Sequence, residues 1–261
     1  MKKAFLTEEE RRLLINRRLP DGWRRVRSSA NAWVASCADK GGRVYFFKYF
    51  IKRSFVEGVK AIFKGTRAYR FSKETIRLKR LGFLAPDVIE HAKDIKTRLN
   101  GEGWCLTEGL PGLGVMNFWR ERLAIHERKA FISALAQEIA RLHKNRIRHG
   151  DLRLGNILVI TDMNPLDKDR WRFAFLDNER NRSYFLRLPW TERCRNLVQM
   201  NMDAISLNIR HRLFFLKIYA GESGLDGGKM HALIKDVAAW TEKRIKIKKN
   251  TFNSSAVRLF R

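Results

Sequence analysis

The chain has 261 residues, 44% hydrophobic and 31% charged, which allows one two-lobed domain or two small ones with a real core and excludes a disordered composition. Fifty-four Lys and Arg against 27 Asp and Glu leave a formal charge of +27, so a polyanionic partner is expected: nucleic acid, an anionic membrane surface or a phosphorylated glycolipid. No apolar run reaches the roughly 18–20 residues that span a bilayer, and MKKAFLTEEERRLL has neither the apolar core nor the cleavage site of a signal peptide, so a cytoplasmic product is expected. Cys37, Cys105 and Cys194 lie far apart and, with six scattered histidines, give no disulfide framework and no metal-ligand pattern.

Residues 7–18 read as a short helix, with Thr7 and Glu10 at capping-box spacing and an acidic start and basic end that suit the helix dipole. WRRVRSSANAWVA (23–35) and GRVYFFKYF (42–50) read as strands, with turn chemistry at DKGG (39–42). A helix is predicted over 66–81, with Tyr69, Ile76, Leu78 and Leu81 as its apolar positions and Gly82 at its stop. Pro86 opens another extended stretch, and GEG (101–103) turns into the strand WCLTEGL (104–110). After PGLG (111–114) the pattern turns helical, and Phe131, Leu135, Ile139 and Leu142 form the stripe of a helix over 131–144. HGDLRLGN follows as a loop, then ILVI (157–160) and FAFLD (173–177) as strands joined by a polar connection, TDMNPLDKDRWR. From about 190 onward NLVQMNMDAISLNIRHRLFFLKIYA and MHALIKDVAAWTEKRIKIKK read as helices. The order predicts an α+β chain: a strand-rich lobe with one helix over 1–107, then a mainly helical lobe over 108–261.

HGDLRLGNILV is the stretch that carries chemistry. Asp151 and Asn156 stand five residues apart just before an apolar strand, and Asp177 ends the next strand. A hairpin of those strands would bring the oxygens of Asn156 and Asp177 together. Magnesium takes hard oxygens, usually one or two carboxylates plus phosphate oxygens. Asp151 would remain to face an acceptor hydroxyl, and phosphoryl transfer needs such a base or orienter, metal ligands and a cation on the phosphates.

The string resembles the kinase catalytic loop HRDLxxxxN, with Gly150 in place of the arginine. More narrowly, RLHKNRIRHGDLRLGNILV with FLDNER resembles the bacterial lipopolysaccharide kinase family, which phosphorylates heptose or Kdo sugars of the lipopolysaccharide core. The likeness runs over roughly 23–220 and is strongest over 140–180. It implies a two-lobed protein-kinase-like fold with ATP and Mg2+. It makes Asp151 the catalytic base, Asn156 and Asp177 the magnesium ligands, and Arg153 a cation steadying the transferring phosphate. Lys48, in a strand after a Gly turn, takes the place of the phosphate-binding lysine. Glu74 becomes its ion-pair partner, with Glu57 as the fallback. Backbone groups from Glu108 to Leu110 would bind adenine. Two departures stand out: SSANAWVAS has no glycine where a glycine-rich loop is expected, and Asn178-Glu179 replaces Phe-Gly, so the activation switch of protein kinases is expected to be missing.

The expected function is therefore phosphorylation of a lipopolysaccharide core sugar. Its rivals are a small-molecule, antibiotic or protein kinase of the same fold, and a non-catalytic basic pseudokinase that binds anionic lipid or nucleic acid. Intact Asp151, Asn156 and Asp177 argue against a pseudokinase, and no zinc-finger, RRM or KH signature supports nucleic acid. The tail TEKRIKIKKNTFNSSAVRLFR (241–261) carries seven Lys or Arg against one acid. It is expected to attach the protein peripherally to the cytoplasmic face of the inner membrane.

Overall fold

A computed structural model describes residues 5–51, 61, 65–92, 102–160, 171–204 and 207–258, with side chains of the last stretch through Ile247. Glu57, most of the connection 161–172 and the side chains at the end of the basic tail lie outside the described residues. The chain divides into two compact units. One comprises Met1–Gly112, Ile160–Asn164 and Ala174–Arg180; the other comprises Leu113–Val159, Pro165–Phe173 and Asn181–Arg261.

The first unit opens with α1 (Glu8–Ile15), whose capping box forms as expected: the Thr7 hydroxyl accepts from the Glu10 N–H and the Glu10 carboxylate from the Thr7 N–H. Strands β1 (Arg24–Val26), β2 (Ala32–Ala38), β3 (Val44–Phe50), β4 (Val88–His91) and β5 (Gly103–Glu108) form an antiparallel sheet in the order β1-β2-β3-β5-β4. The single strand expected over 23–35 is two strands folded back on each other, with Val26 opposite Val34. The small polar residues between them close the turn: the Ser28 hydroxyl donates to the Ala32 carbonyl at 2.7 Å, and the Ala32 N–H to the Ser29 carbonyl at 3.1 Å.

Alternation along β3 sets two faces. Tyr45, Phe47 and Tyr49 enter an aromatic core with Trp23, Trp33, Trp104 and Leu14, and Phe47 stacks on Trp104 with centroids 5.3 Å apart. Phe50 and Cys105 enter a second cluster with Ala68 and Phe71 of α2 (Arg67–Arg80). The apolar stripe expected on α2 is corrected: Tyr69, Ile76 and Leu81 are exposed, and the buried face is Arg67, Ala68, Phe71, Ser72, Thr75 and Leu78. That face keeps helical spacing but carries polar groups, each given a partner or a small volume. Thr75 accepts from the Asn178 amide at 3.2 Å.

The second unit is mainly helical: α3 (Val115–Glu121), α4 (Arg128–Lys144), α5 (Trp190–Asp203), α6 (Ile209–Glu222) and α7 (Gly227–Arg258). Phe131, Leu135, Ile139 and Leu142 are buried on α4 as the stripe predicts. The helix expected through 196–220 is broken; Asn208 caps α6 by accepting the Arg210 N–H at 2.8 Å. Short strands complete the fold: β6 (Gly112–Gly114), β8 (Ile157–Ile160) and β9 (Arg172–Phe175) pair in the order β6-β8-β9, and β7 (Ile147–Arg148) pairs with β10 (Arg182–Ser183). Among the described residues no helix is long and apolar enough to cross a membrane.

Candidate active site

In the first unit, strand parity puts Lys48 on the same face of β3 as Phe50, the face that α2 covers. Its ammonium lies 5.0 Å from the centre of the Phe50 ring and bonds Asp177 at 2.5 Å. Lys48 was expected to pair with Glu74. Instead Asp177 takes the lysine, and the charges acting on half-buried Glu74 are Arg77 and Lys73, with burial as the larger effect pushing its carboxyl up. Asp177 follows β9 with a left-handed backbone (φ 56°), a conformation short polar residues tolerate best.

A second ion pair supports this arrangement, and sequence reasoning missed it. Arg67, the first residue of α2, meets Glu179 at 2.9 Å, both side chains 4% exposed. The same guanidinium donates to the carbonyls of Asn31 (2.8 Å) and Ile51 (3.2 Å) and lies over the Phe50 ring. Arg67 therefore ties the start of β2, the end of β3 and the segment carrying Asp177 to one helix end. Burial pushes the Glu179 carboxyl up, against the pull of Arg67 and Lys48. Glu179 is the second of the two residues, Asn178-Glu179, that stand in place of Phe-Gly.

The stretch expected to bind adenine is partly committed elsewhere. The Glu108 N–H donates to the Asp87 carbonyl (2.9 Å) and the Gly109 N–H to the Val44 carbonyl (2.6 Å). A Cβ at Gly109 would come within 3.0 Å of Phe46 and the Val44 oxygen, so glycine is required for this close approach. Of the three residues, Leu110 is the one whose N–H remains for a ligand.

In the second unit the loop 149–156 is fixed by one face of α5. Asn196 accepts the His149 N–H (3.0 Å) and donates to its carbonyl (2.7 Å). Gln199 accepts the Leu152 N–H (3.2 Å) and Asp203 the Leu154 N–H (3.0 Å). Asn181 accepts the Gly150 N–H at 2.9 Å. Behind Asn196 lies buried His143, whose ring nitrogens meet the Asn196 carbonyl oxygen (3.1 Å) and the Tyr219 hydroxyl (2.6 Å). The Tyr219 oxygen in turn accepts from Arg193 at 2.8 Å. With Asn196 accepting and Arg193 filling the phenol oxygen, His143 is neutral, its Nε2–H donating and its Nδ1 accepting. Burial drives its pKa from 6.5 down to about 3.

This loop presents Asp151, whose carboxylate receives Arg153 at 3.0 Å and the Asn156 amide at 3.3 Å. Asn156 also donates to the Asp151 carbonyl at 2.9 Å. These bonds engage the amide nitrogen of Asn156; its amide oxygen is a hard donor of the kind magnesium takes. Asp177 supplies a carboxylate in the first unit. Among the described residues no cluster of three or more His, Cys, Asp or Glu forms a closed metal cage. Cys105 and Cys194 are pushed up to about 12 by burial, so neither offers a thiolate.

The fold is that of protein-kinase-like phosphotransferases. It is similar to the solved structure of WaaP in complex with acyl carrier protein, at 21% identity and a TM-score of 0.62, over 92% of this chain and 97% of that one. It is also similar to the Rio2 kinase–ADP/Mg2+–phosphoaspartate complex from Chaetomium thermophilum, at 15% identity and a TM-score of 0.51, over 85% and 70%. No curated protein matches the sequence. The family described as the lipopolysaccharide kinase (Kdo/WaaP) family matches residues 24–219, and the chain belongs to that family. It is a kinase, a phosphotransferase with an alcohol group as acceptor.

Proposed function

We propose that the chain transfers the γ-phosphoryl group of ATP to a hydroxyl of a lipopolysaccharide core sugar, a heptose or Kdo. The observation that supports it most is the loop carrying Asp151, held backbone atom by backbone atom through Asn196, Gln199 and Asp203. Such clamping fits a carboxylate that must meet a hydroxyl at hydrogen-bond distance. In this reading Asp151 orients the sugar hydroxyl and takes its proton. The sugar oxygen bonds to the γ-phosphorus as the bond to ADP breaks. Arg153 offsets charge on the transferring group, and Lys48 holds the nucleotide phosphates. The Asn156 oxygen and the Asp177 carboxylate would hold Mg2+, which when bound neutralises phosphate charge. Leu110 offers its backbone to adenine.

A core sugar is carried on a lipid, so the enzyme would act at the cytoplasmic face of the inner membrane, and the +27 charge suits a phosphorylated acceptor there. The similar WaaP structure is a complex with acyl carrier protein, which makes an acyl carrier protein a second partner to test. The test of function is a transfer assay with γ-labelled ATP against lipopolysaccharide cores, free sugars and generic proteins. Label should enter the core sugars. Label confined to free small molecules or to proteins would replace this reading with one of its rivals.

A further inference from the structure

Among the described residues the two most exposed large apolar side chains are neighbours: Phe185, 90% exposed, and Leu186, 81%. They do not sit on a frayed end. Just before them β10 pairs with β7, Arg182 opposite Arg148 and Ser183 opposite Ile147. The Tyr184 N–H donates to the Arg146 carbonyl at 3.0 Å, and the Arg146 guanidinium donates back to the Phe185 carbonyl at 2.5 Å. Arg146 itself has a left-handed backbone, φ 61°. Just after them Leu188 is buried, Pro189 precedes the first turn of α5, and the Trp190 indole donates to Asp236 at 2.8 Å. The backbone is fixed on both sides, so the turn holds two apolar side chains out in water.

The charges along the two segments that carry this tip are basic, and the carboxylates that meet those segments are engaged: Glu138 with Arg141 at 2.7 Å, Glu222 with Lys144 at 4.0 Å and Asp236 with the Trp190 indole at 2.8 Å. Residues 141–150 and 181–191, the segments that contain β7 and β10, carry Arg141, Lys144, Arg146, Arg148, Arg182 and Arg187 and no Asp or Glu. Arg146, Arg182 and Arg187 are exposed. Glu192, next along the chain, is buried with Arg148 at 2.9 Å and Arg195 at 2.6 Å. An apolar tip ringed by arginine matches the boundary of an anionic bilayer, where apolar groups gain by burial and guanidinium groups meet lipid phosphates.

We propose that residues 184–187 are a membrane-docking tip: Phe185 and Leu186 enter the headgroup–acyl boundary of an anionic bilayer while Arg146, Arg182 and Arg187 bind lipid phosphates. The proposal puts the attachment at the β7–β10 turn, where the sequence alone had pointed to the basic C-terminal tail of the same unit. Arg148 of β7 leads directly into His149, so the docked hairpin is covalently continuous with the loop bearing Asp151. Only that consequence, an enzyme poised over a lipid-borne acceptor, rests on the kinase reading; the docking itself does not.

The test is flotation of the full chain with phosphatidylcholine vesicles, with and without phosphatidylglycerol, at ~0.1 and ~0.5 M salt. The parent should bind only the anionic vesicles, and less at high salt. Phe185→Ser/Leu186→Ser and Arg182→Glu/Arg187→Glu should each weaken binding at least tenfold, with the melting temperature and magnesium-ATP affinity unchanged. A chain lacking residues 248–261 should keep at least half of its affinity. A parent that ignores anionic vesicles or binds neutral ones equally, a serine variant that binds like the parent, or a truncated chain that no longer binds would each overturn the proposal. The vesicles carry no sugar, so failure of the sugar-kinase reading would leave this result standing.

Discussion

Glu179→Leu should be among the most damaging single substitutions in the first unit. It strands Arg67, whose side chain is 4% exposed, with two backbone carbonyls but no counter-charge. Breaking a buried pair from one side costs about 3–5 kcal/mol. At roughly 2–4 °C per kcal/mol for a chain of this size, melting should fall by about 6–20 °C. Replacing both partners, Arg67→Met with Glu179→Leu, removes the uncompensated charge. It still orphans the Asn31 and Ile51 carbonyls at about 1 kcal/mol each, so the double variant should lie between the parent and the single. Urea titration of the four proteins gives the coupling, and hydrogen exchange shows whether the loss falls in the first unit. A single variant within about 1 kcal/mol of the parent, or a double variant equal to the sum of the singles, would refute the argument.

Three further outcomes follow from the geometry. His143 is neutral in the fold with a pKa of about 3 against 6.5, so below pH 6.5 the unfolded chain takes a proton that the fold refuses. Stability should then fall by roughly tenfold in the folding equilibrium per pH unit down to about pH 3, and a His143→Gln variant with an unchanged slope would show the ring is not the cause. Asn196→Ala removes both bonds that Asn196 makes to the His149 backbone, so kcat should fall with magnesium-ATP affinity intact; a change in nucleotide affinity alone would place Asn196 elsewhere in the mechanism. Asp177→Ala should weaken magnesium-ATP binding at least tenfold by calorimetry, and unchanged affinity would remove it as a ligand.

What was legible in the sequence was local. The string around Asp151 compresses loop, turn and strand into ten residues, and strand parity was enough to place Lys48 on a sheet face. Pairings between distant segments were not legible. Arg67 and Glu179 are 112 residues apart, and both residue types are exposed by default. The clamp of Asn196, Gln199 and Asp203 has helical spacing, but a polar stripe on α5 reads as a solvated face until the buried His143 and the loop backbone are seen against it. The face of α2 was misjudged for the converse reason: Ser72 and Thr75 look exposed in a sequence, yet Thr75 is buried against Asn178. The same blindness produced the expected Lys48–Glu74 pair, since helix spacing alone does not show that Asp177 reaches the lysine first.

The most direct test of the account is transfer of label from γ-labelled ATP to a purified lipopolysaccharide core, with the parent and Asp151→Asn compared under magnesium. A positioned acid–base group contributes about 10²–10⁴-fold. The variant should lose that much turnover on the core sugar while its magnesium-ATP affinity stays within twofold of the parent's. Near-parental turnover by Asp151→Asn, or a parent that labels proteins and leaves the core untouched, would contradict it.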